Sequence, residues 1–181
     1  MKKILVLTGS PRTDGNSFAL ADAFIKGAKE AGNEVMRFDA GLKKINPCIA
    51  CNACFSEGRA CIQNDDFNDL AALIEKAEIL VFVTPLYWYS FPSQIKAAID
   101  KMYSFLIGNK ELNLQGAMLI ACCGDGTEEA FEGMVKSYRM ITDYLRIHDM
   151  GKLLVTSAVE KGYTKTGTFC KSAEEMGKKI K

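Results

Sequence analysis

Short apolar runs alternate with amphipathic stretches along most of the chain. Lys3 to Thr8 is a β-rich run of aliphatic residues ending in Gly9-Ser10-Pro11, which predicts a buried strand. Phe18, Ala21, Phe24, Ile25 and Ala28 share one helical face, predicting a helix to about Gly32 with Asn16 or Ser17 as its cap. Glu34 to Asp39 alternates apolar and polar and reads as a second strand. Residues 40–64 break the rhythm with Pro47, clustered cysteines and little periodicity; so long a connection inside a compact domain is usually functional. A helix is then expected from Asp65 or Asp66 to about Ala77, and the most apolar strand from Glu78 to Thr84. Further along, the pattern predicts a helix over Pro92–Phe105, a strand over Ala117–Cys123 and a helix over Glu128–Leu145. A strand over Lys152–Ala158 and a closing helix over Lys171–Lys179 complete the chain.

Five β/α units in series imply an α/β domain whose parallel sheet is covered on both faces. No repeat, linker or low-complexity stretch divides residues 1–181, so a single domain with strand order 2-1-3-4-5 is expected. In such a sheet a ligand binds at the carboxyl ends of the strands, where the order reverses. The first and third strands flank that point.

Composition narrows the function classes. The 181 residues suffice for one well-buried core, and 48% hydrophobic with 25% charged residues is ordinary for a water-soluble domain. Against 23 basic residues stand 22 acidic ones, so no cationic surplus invites nucleic acid and no polybasic arm invites a membrane. Met1-Lys2-Lys3 is followed only by Ile4 to Leu7 before polar residues, too short for a secretory signal, and no apolar run approaches the ~20 residues of a membrane span. A cytoplasmic protein is expected. Seven cysteines, an odd number without an export signal, argue against a disulfide framework and raise metal or redox chemistry.

The loop after the first strand carries anion chemistry. Gly9 permits a tight turn; Ser10, Thr13 and Ser17 offer hydroxyls, Asn16 an amide, and Arg12 a cationic fork. The loop runs into a helix N-terminus, whose free N–H groups suit a phosphate. Neither the dinucleotide Gly-x-Gly-x-x-Gly nor a Walker Gly-Lys-Ser/Thr is present. The same residues would also serve a capped turn with no ligand. After the central strand, Pro85-Leu86-Tyr87-Trp88-Tyr89 offers flat apolar walls for a ring system, or a surface aromatic cluster at an interface.

Gly9-Ser10-Pro11-Arg12 with Gly15-Asn16-Ser17 closely resembles the phosphate loop of the NADPH-dependent FMN reductase group of flavodoxin-like proteins. The resemblance continues through Cys48-Ile49-Ala50-Cys51-Asn52-Ala53-Cys54, Asp65-Asp66, Thr84 to Ser90 and Gln94 to Lys101, covering roughly residues 3–130. It implies a flavodoxin-like three-layer sandwich that binds flavin mononucleotide (FMN) and takes electrons from NAD(P)H. By the same resemblance, Ser10, Arg12, Asn16 and Ser17 would hold the phosphate. Pro85, Leu86, Tyr87, Trp88 and Tyr89 would meet the ring and ribityl chain, and Cys123-Gly124-Asp125-Gly126 would border the ring, with Gly124 allowing close backbone approach. A homodimer or homotetramer is implied as well.

Cys48-x2-Cys51-x2-Cys54-x6-Cys61 has spacers that let thiolates converge on one small cluster. The set resembles the compact motif of iron–sulfur flavoproteins, which carry FMN and a 4Fe-4S cluster on this fold. Zinc and a loop of free thiols are the competing readings; the proline that follows the last cysteine in ferredoxins is replaced by Ile62. Cys122, Cys123 and Cys170 read as buried small residues. His148, the lone histidine, has no evident partner for catalysis; Asp65-Asp66 reads as a helix N-terminus and Lys96 with Asp100 as a surface pair. Three functions follow. The first is an FMN-dependent NAD(P)H oxidoreductase serving a quinone, flavin or other small acceptor. The second is an iron–sulfur flavoprotein electron carrier, and the third a flavin-binding redox sensor without turnover.

Overall fold

The computed structural model describes residues 1–181. Strands β1 (Lys3–Thr8), β2 (Glu34–Asp39), β3 (Ile79–Pro85), β4 (Gly116–Cys122) and β5 (His148–Val155) form one parallel sheet in the order β2-β1-β3-β4-β5. Helices α1 (Asn16–Glu30) and α6 (Phe169–Lys178) cover one face. Helices α2 (Phe67–Ile74), α3 (Ser93–Lys101), α4 (Tyr103–Ile107) and α5 (Glu132–Leu145) cover the other. The period-two alternation of the strands feeds both cores. Ile4, Val6, Val81 and Val83 face Leu20 and Phe24 of α1, while Leu5, Leu7, Leu80 and Phe82 face Phe67, Ile95 and Tyr138. The flavodoxin-like sandwich and its strand order are as expected.

Three boundaries differ from the sequence pattern. The expected helix over Pro92–Phe105 is two helices, because the chain tightens at Met102, whose N–H bonds the Ile99 carbonyl at 3.1 Å as Phe105 bonds Met102. The expected helix from Glu128 begins as a 3-10 turn, Glu128–Phe131, before α5. The last strand starts at His148 rather than Lys152 and ends at Val155. It lies at the sheet edge, half exposed, with a register shift opposite Ala117–Leu119 where Gly151 sits at φ +122°, so no alternation marks it. No helix is long and apolar enough to cross a membrane.

Candidate functional site

The phosphate loop forms where β1 ends beside β3. Gly9 donates to the Val83 carbonyl at 3.0 Å, and a Cβ there would stand 2.3 Å from Thr84 Oγ1, so only glycine lets the loop leave the sheet so closely. Ser10 Oγ accepts the Arg12 N–H at 3.0 Å and Gly15 N–H reaches the Arg12 carbonyl at 3.2 Å, which closes the loop into a preformed turn. On its far side Gly41, in the 3-10 turn Ala40–Leu42, lies against it: a Cβ at Gly41 would be 2.2 Å from the Ser10 carbonyl. Gly15, not Asn16 or Ser17, is the N-cap of α1, and no side chain caps the helix. Consequently the N–H groups of Asn16, Ser17 and Phe18 have no backbone acceptor. The Ser17 hydroxyl, on a residue 3% exposed, lines the adjoining cavity and bonds no protein group.

That cavity, about 200 Å³, brings together most of the predicted cofactor residues. Ser10, Arg12, Asn16 and Ser17 line it from the phosphate loop, Pro85, Leu86 and Tyr87 from the loop after β3, and Gly124 with Cys122 and Cys123 from the end of β4. Trp88 and Tyr89 do not reach it. They line an adjoining hollow of about 260 Å³ with Leu86, Cys123, Gly124 and Asp125. As expected, Cys122 and Cys123 are buried, and burial pushes the Cys122 thiol up to about 12 and raises that of Cys123.

The aromatic loop is a strained hairpin. Tyr87 and Ser90 exchange both backbone hydrogen bonds, at 3.1 and 3.0 Å, leaving Trp88 (φ +46°) and Tyr89 (φ +60°) as the two central residues. Left-handed backbone at both positions is the requirement of a type I′ turn, normally met by Asn-Gly. Two bulky aromatics there store strain, and Trp88 is 93% exposed.

One wall was not found from the sequence. The segment between β5 and α6 crosses the carboxyl ends of the strands, because α6 returns to pack on α1. Ser157 and Ala158 donate backbone bonds to Asp125 and Cys123 at 2.6 and 2.7 Å, and Ala158, Val159 and Lys161 line the cavity. Asn16 clamps this strap: its Nδ2 donates to the carbonyls of Ala158 and Glu160 at 3.1 and 2.9 Å, and its Oδ1 accepts from Thr164 N at 3.3 Å. The Asn16 side-chain amide, expected to meet a phosphate, is thus engaged by the strap, and its backbone N–H is left without an acceptor. Only a cue for where α6 docks would have revealed the strap in advance.

The cysteine loop is anchored at both ends. Asp65 and Asp66 stand at the start of α2 as expected, but they also receive the loop: Asn46 N–H bonds Asp65 Oδ2 at 2.8 Å and Lys44 N–H bonds Asp66 Oδ2 at 2.7 Å. Lys101 Nζ joins Asp65 Oδ2 at 2.5 Å in an ion pair that is 1% and 0% exposed. Lys96 and Asp100 form the surface pair, 2.6 Å apart. Phe55 packs on Phe105 with ring centroids 6.1 Å apart, and Cys61 N–H bonds Asn68 Oδ1 at 2.8 Å. Between these anchors Ala50, Asn52 and Phe55 all have positive φ, 52°, 54° and 59°, interleaved with the cysteines. Cys48 and Cys51 are exposed, Cys54 and Cys61 half-buried. Burial, then the fields of Cys61, Cys51 and Cys48, push the Cys54 thiol up. No three of the chain's thiol, imidazole and carboxylate groups are gathered as a metal site. His148 is exposed on β5, away from the cavity lining.

A doubly wound parallel sheet whose order reverses between β1 and β3 defines the flavodoxin-like fold. The NADPH-dependent FMN reductase family model matches residues 2–161, and the chain belongs to that family. An iron–sulfur flavoprotein of Archaeoglobus fulgidus is 32% identical over 133 residues, which are 74% of this chain and only 60% of that relative. One from Methanocaldococcus jannaschii is 32% identical over 149 residues, 82% of this chain and 73% of the relative. The solved NAD(P)H:quinone oxidoreductase from Methanothermobacter marburgensis superposes with a TM-score of 0.77 at 18% identity, covering 98% of this chain and 96% of that one; it shares the fold.

Replacing Trp88-Tyr89 by Asn-Gly should relieve the turn. The double variant is expected to gain about 1–3 kcal/mol of unfolding free energy in urea titration. A loss of stability instead would show that the aromatic side chains are held by packing that outweighs the backbone strain.

Proposed function

We propose that the chain is an FMN-dependent NAD(P)H oxidoreductase whose cofactor lies along the cavity, phosphate at α1 and ring toward the aromatic turn. The observation that carries this reading is the set of three acceptor-free N–H groups at Asn16, Ser17 and Phe18, with the unpartnered Ser17 hydroxyl beside them. Ser10, Arg12, Asn16 and Ser17 are assigned to the phosphate. Pro85, Leu86 and Tyr87 are assigned to the ribityl chain and ring, Trp88 and Tyr89 to the outer ring edge, and Gly124 to close backbone approach from below. When bound, the flavin would accept hydride from NAD(P)H and pass electrons to a quinone, flavin or other small acceptor. In that division of labour the cofactor supplies the chemistry and the protein need only bind and orient it. Arg12→Ala and Ser17→Ala are each expected to weaken FMN at least about tenfold in flavin-fluorescence titration, the size of a lost hydrogen bond to a charged group. Protein that neither retains nor takes up FMN would sink the proposal.

A second reading, the iron–sulfur electron carrier, is favoured by the backbone of the cysteine loop. Left-handed residues between successive ligands turn backbone N–H groups into concavities of the kind that surround iron–sulfur clusters. Four thiols on one anchored loop fit a cluster in kind and number, although their sulfurs are not gathered, and two relatives bear the iron–sulfur flavoprotein name. Cys48, Cys51, Cys54 and Cys61 would be the ligands. Anaerobically purified protein should then carry iron and acid-labile sulfide that both fall in Cys51→Ala and Cys54→Ala; sub-stoichiometric iron indifferent to those changes removes this reading.

Self-association completes the proposal. A groove of about 640 Å³ between α3, α4 and α5 is apolar along most of its lining, with Leu106, Met140 and Tyr144 exposed. Asp100 and Lys110 stand on the same lining, so a second copy related by a twofold axis can oppose the two charges. Sedimentation velocity should find a dimer or tetramer that Leu106→Glu converts to monomer; a monomeric wild-type chain would exclude it.

A further inference from the structure

The strap between β5 and α6 brings one charged side chain to the phosphate loop. Lys161 lines the same cavity as Arg12, and its ammonium pairs with the carboxylate of Asp14. A carboxylate in an anion-binding loop is a repulsive element unless a cation accompanies it. Lys161 supplies that cation, and its hydrogen bond holds the Asp14 carboxyl below the usual carboxylate range. Both side chains are exposed, so the pair contributes little to stability and the ammonium is easily redirected. An ammonium has three N–H donors and can bond Asp14 and a phosphate oxygen together.

The position of Lys161 is fixed from the phosphate loop itself. Asn16, in the first turn of α1, grips the strap on both sides of Lys161, through Glu160 O at 2.9 Å and Thr164 N at 3.3 Å. Thr164 is fully buried and returns a bond from Oγ1 to the Asn16 carbonyl at 3.1 Å. The helix turn with the acceptor-free N–H groups therefore also holds the stretch of backbone that carries Lys161.

We infer that Lys161 is a second phosphate-binding cation for FMN, carried by the strap and positioned by Asn16. The inference rests on the reading of this loop as the FMN phosphate site. The Arg12 fork would meet the phosphate from the loop side and Lys161 from the strap side, so that a dianion is neutralised from two elements distant in sequence. Asn16 acts through the strap and is a positioning residue.

Riboflavin, which lacks the phosphate, separates this role from general effects on the pocket. The measured quantity is the ratio of FMN to riboflavin affinity by fluorescence titration of the purified full chain. Lys161→Met is expected to lower that ratio about tenfold, and Lys161→Arg to preserve it. Asn16→Ala should lower the ratio as well, and the Asn16→Ala/Lys161→Met double variant should fall no further than Lys161→Met alone, because both changes remove one interaction. An unchanged ratio in Lys161→Met overturns the inference, and so does a double variant in which the two losses multiply. An unchanged ratio with a raised KM for NADPH would also overturn it, by assigning Lys161 to the pyridine nucleotide. Wild-type chain that binds neither flavin refutes the FMN site itself, whereas normal FMN binding indifferent to Lys161 refutes only the role of the strap.

Discussion

The first turn of α1 presents three backbone N–H groups with no protein acceptor, at the one place in the sheet where neighbouring connections diverge. Their need for an acceptor organises the site. Gly9 lets the Thr84 and Ile95 side chains press against the loop, and Gly41 lets a second stretch of backbone do so. Gly15 takes the cap position without a side chain that would compete for the free donors. A Ser, Asp or Asn cap in that role would satisfy one of these N–H groups.

Strain is concentrated in two loops next to this turn, and each is held by ordered structure on both sides. The Trp88–Tyr89 turn hangs from paired bonds between Tyr87 and Ser90 at the end of the central strand. The cysteine loop, with three left-handed residues, hangs from Asp65, Asp66 and the buried Lys101. Unfavourable backbone persists only where the surroundings over-determine it. The Lys101–Asp65 pair is a costly way to tie down a loop, since burying two charges offsets most of their attraction.

The strap and the cysteine loop reach the site by different routes. The 3-10 turn that opens the cysteine segment touches the phosphate loop through Gly41, while the strap touches it through Asn16. Both flanks of the cofactor cavity are therefore made by chain that crosses the carboxyl edge of the sheet, where a doubly wound fold leaves backbone free of helix and strand. The loop after β4 joins this arrangement through the bonds of Ser157 and Ala158.

Apolar runs and helical periodicity marked the first four strands and the two-sided core, because burial on both faces leaves a strong local signal in Leu5, Val6, Val81 and Phe82, and the succession of β/α units implied the parallel order. The loop after β1 drew notice for a different reason: its glycine, hydroxyls and arginine are contiguous, and a helix N-terminus carries N–H groups without intrahelical acceptors. The edge strand from His148 was not legible, since half-exposed residues and a bulge erase the alternation. Neither was the engagement of Asn16 by the strap, nor the arrival of Lys161, which lies 147 residues from its partner Asp14. Contacts of that separation are set by where α6 docks on α1, a packing of whole helices that no window of sequence encodes. Sequence thus specified which donors stand in the loop after β1, and tertiary structure decided which of them stay free.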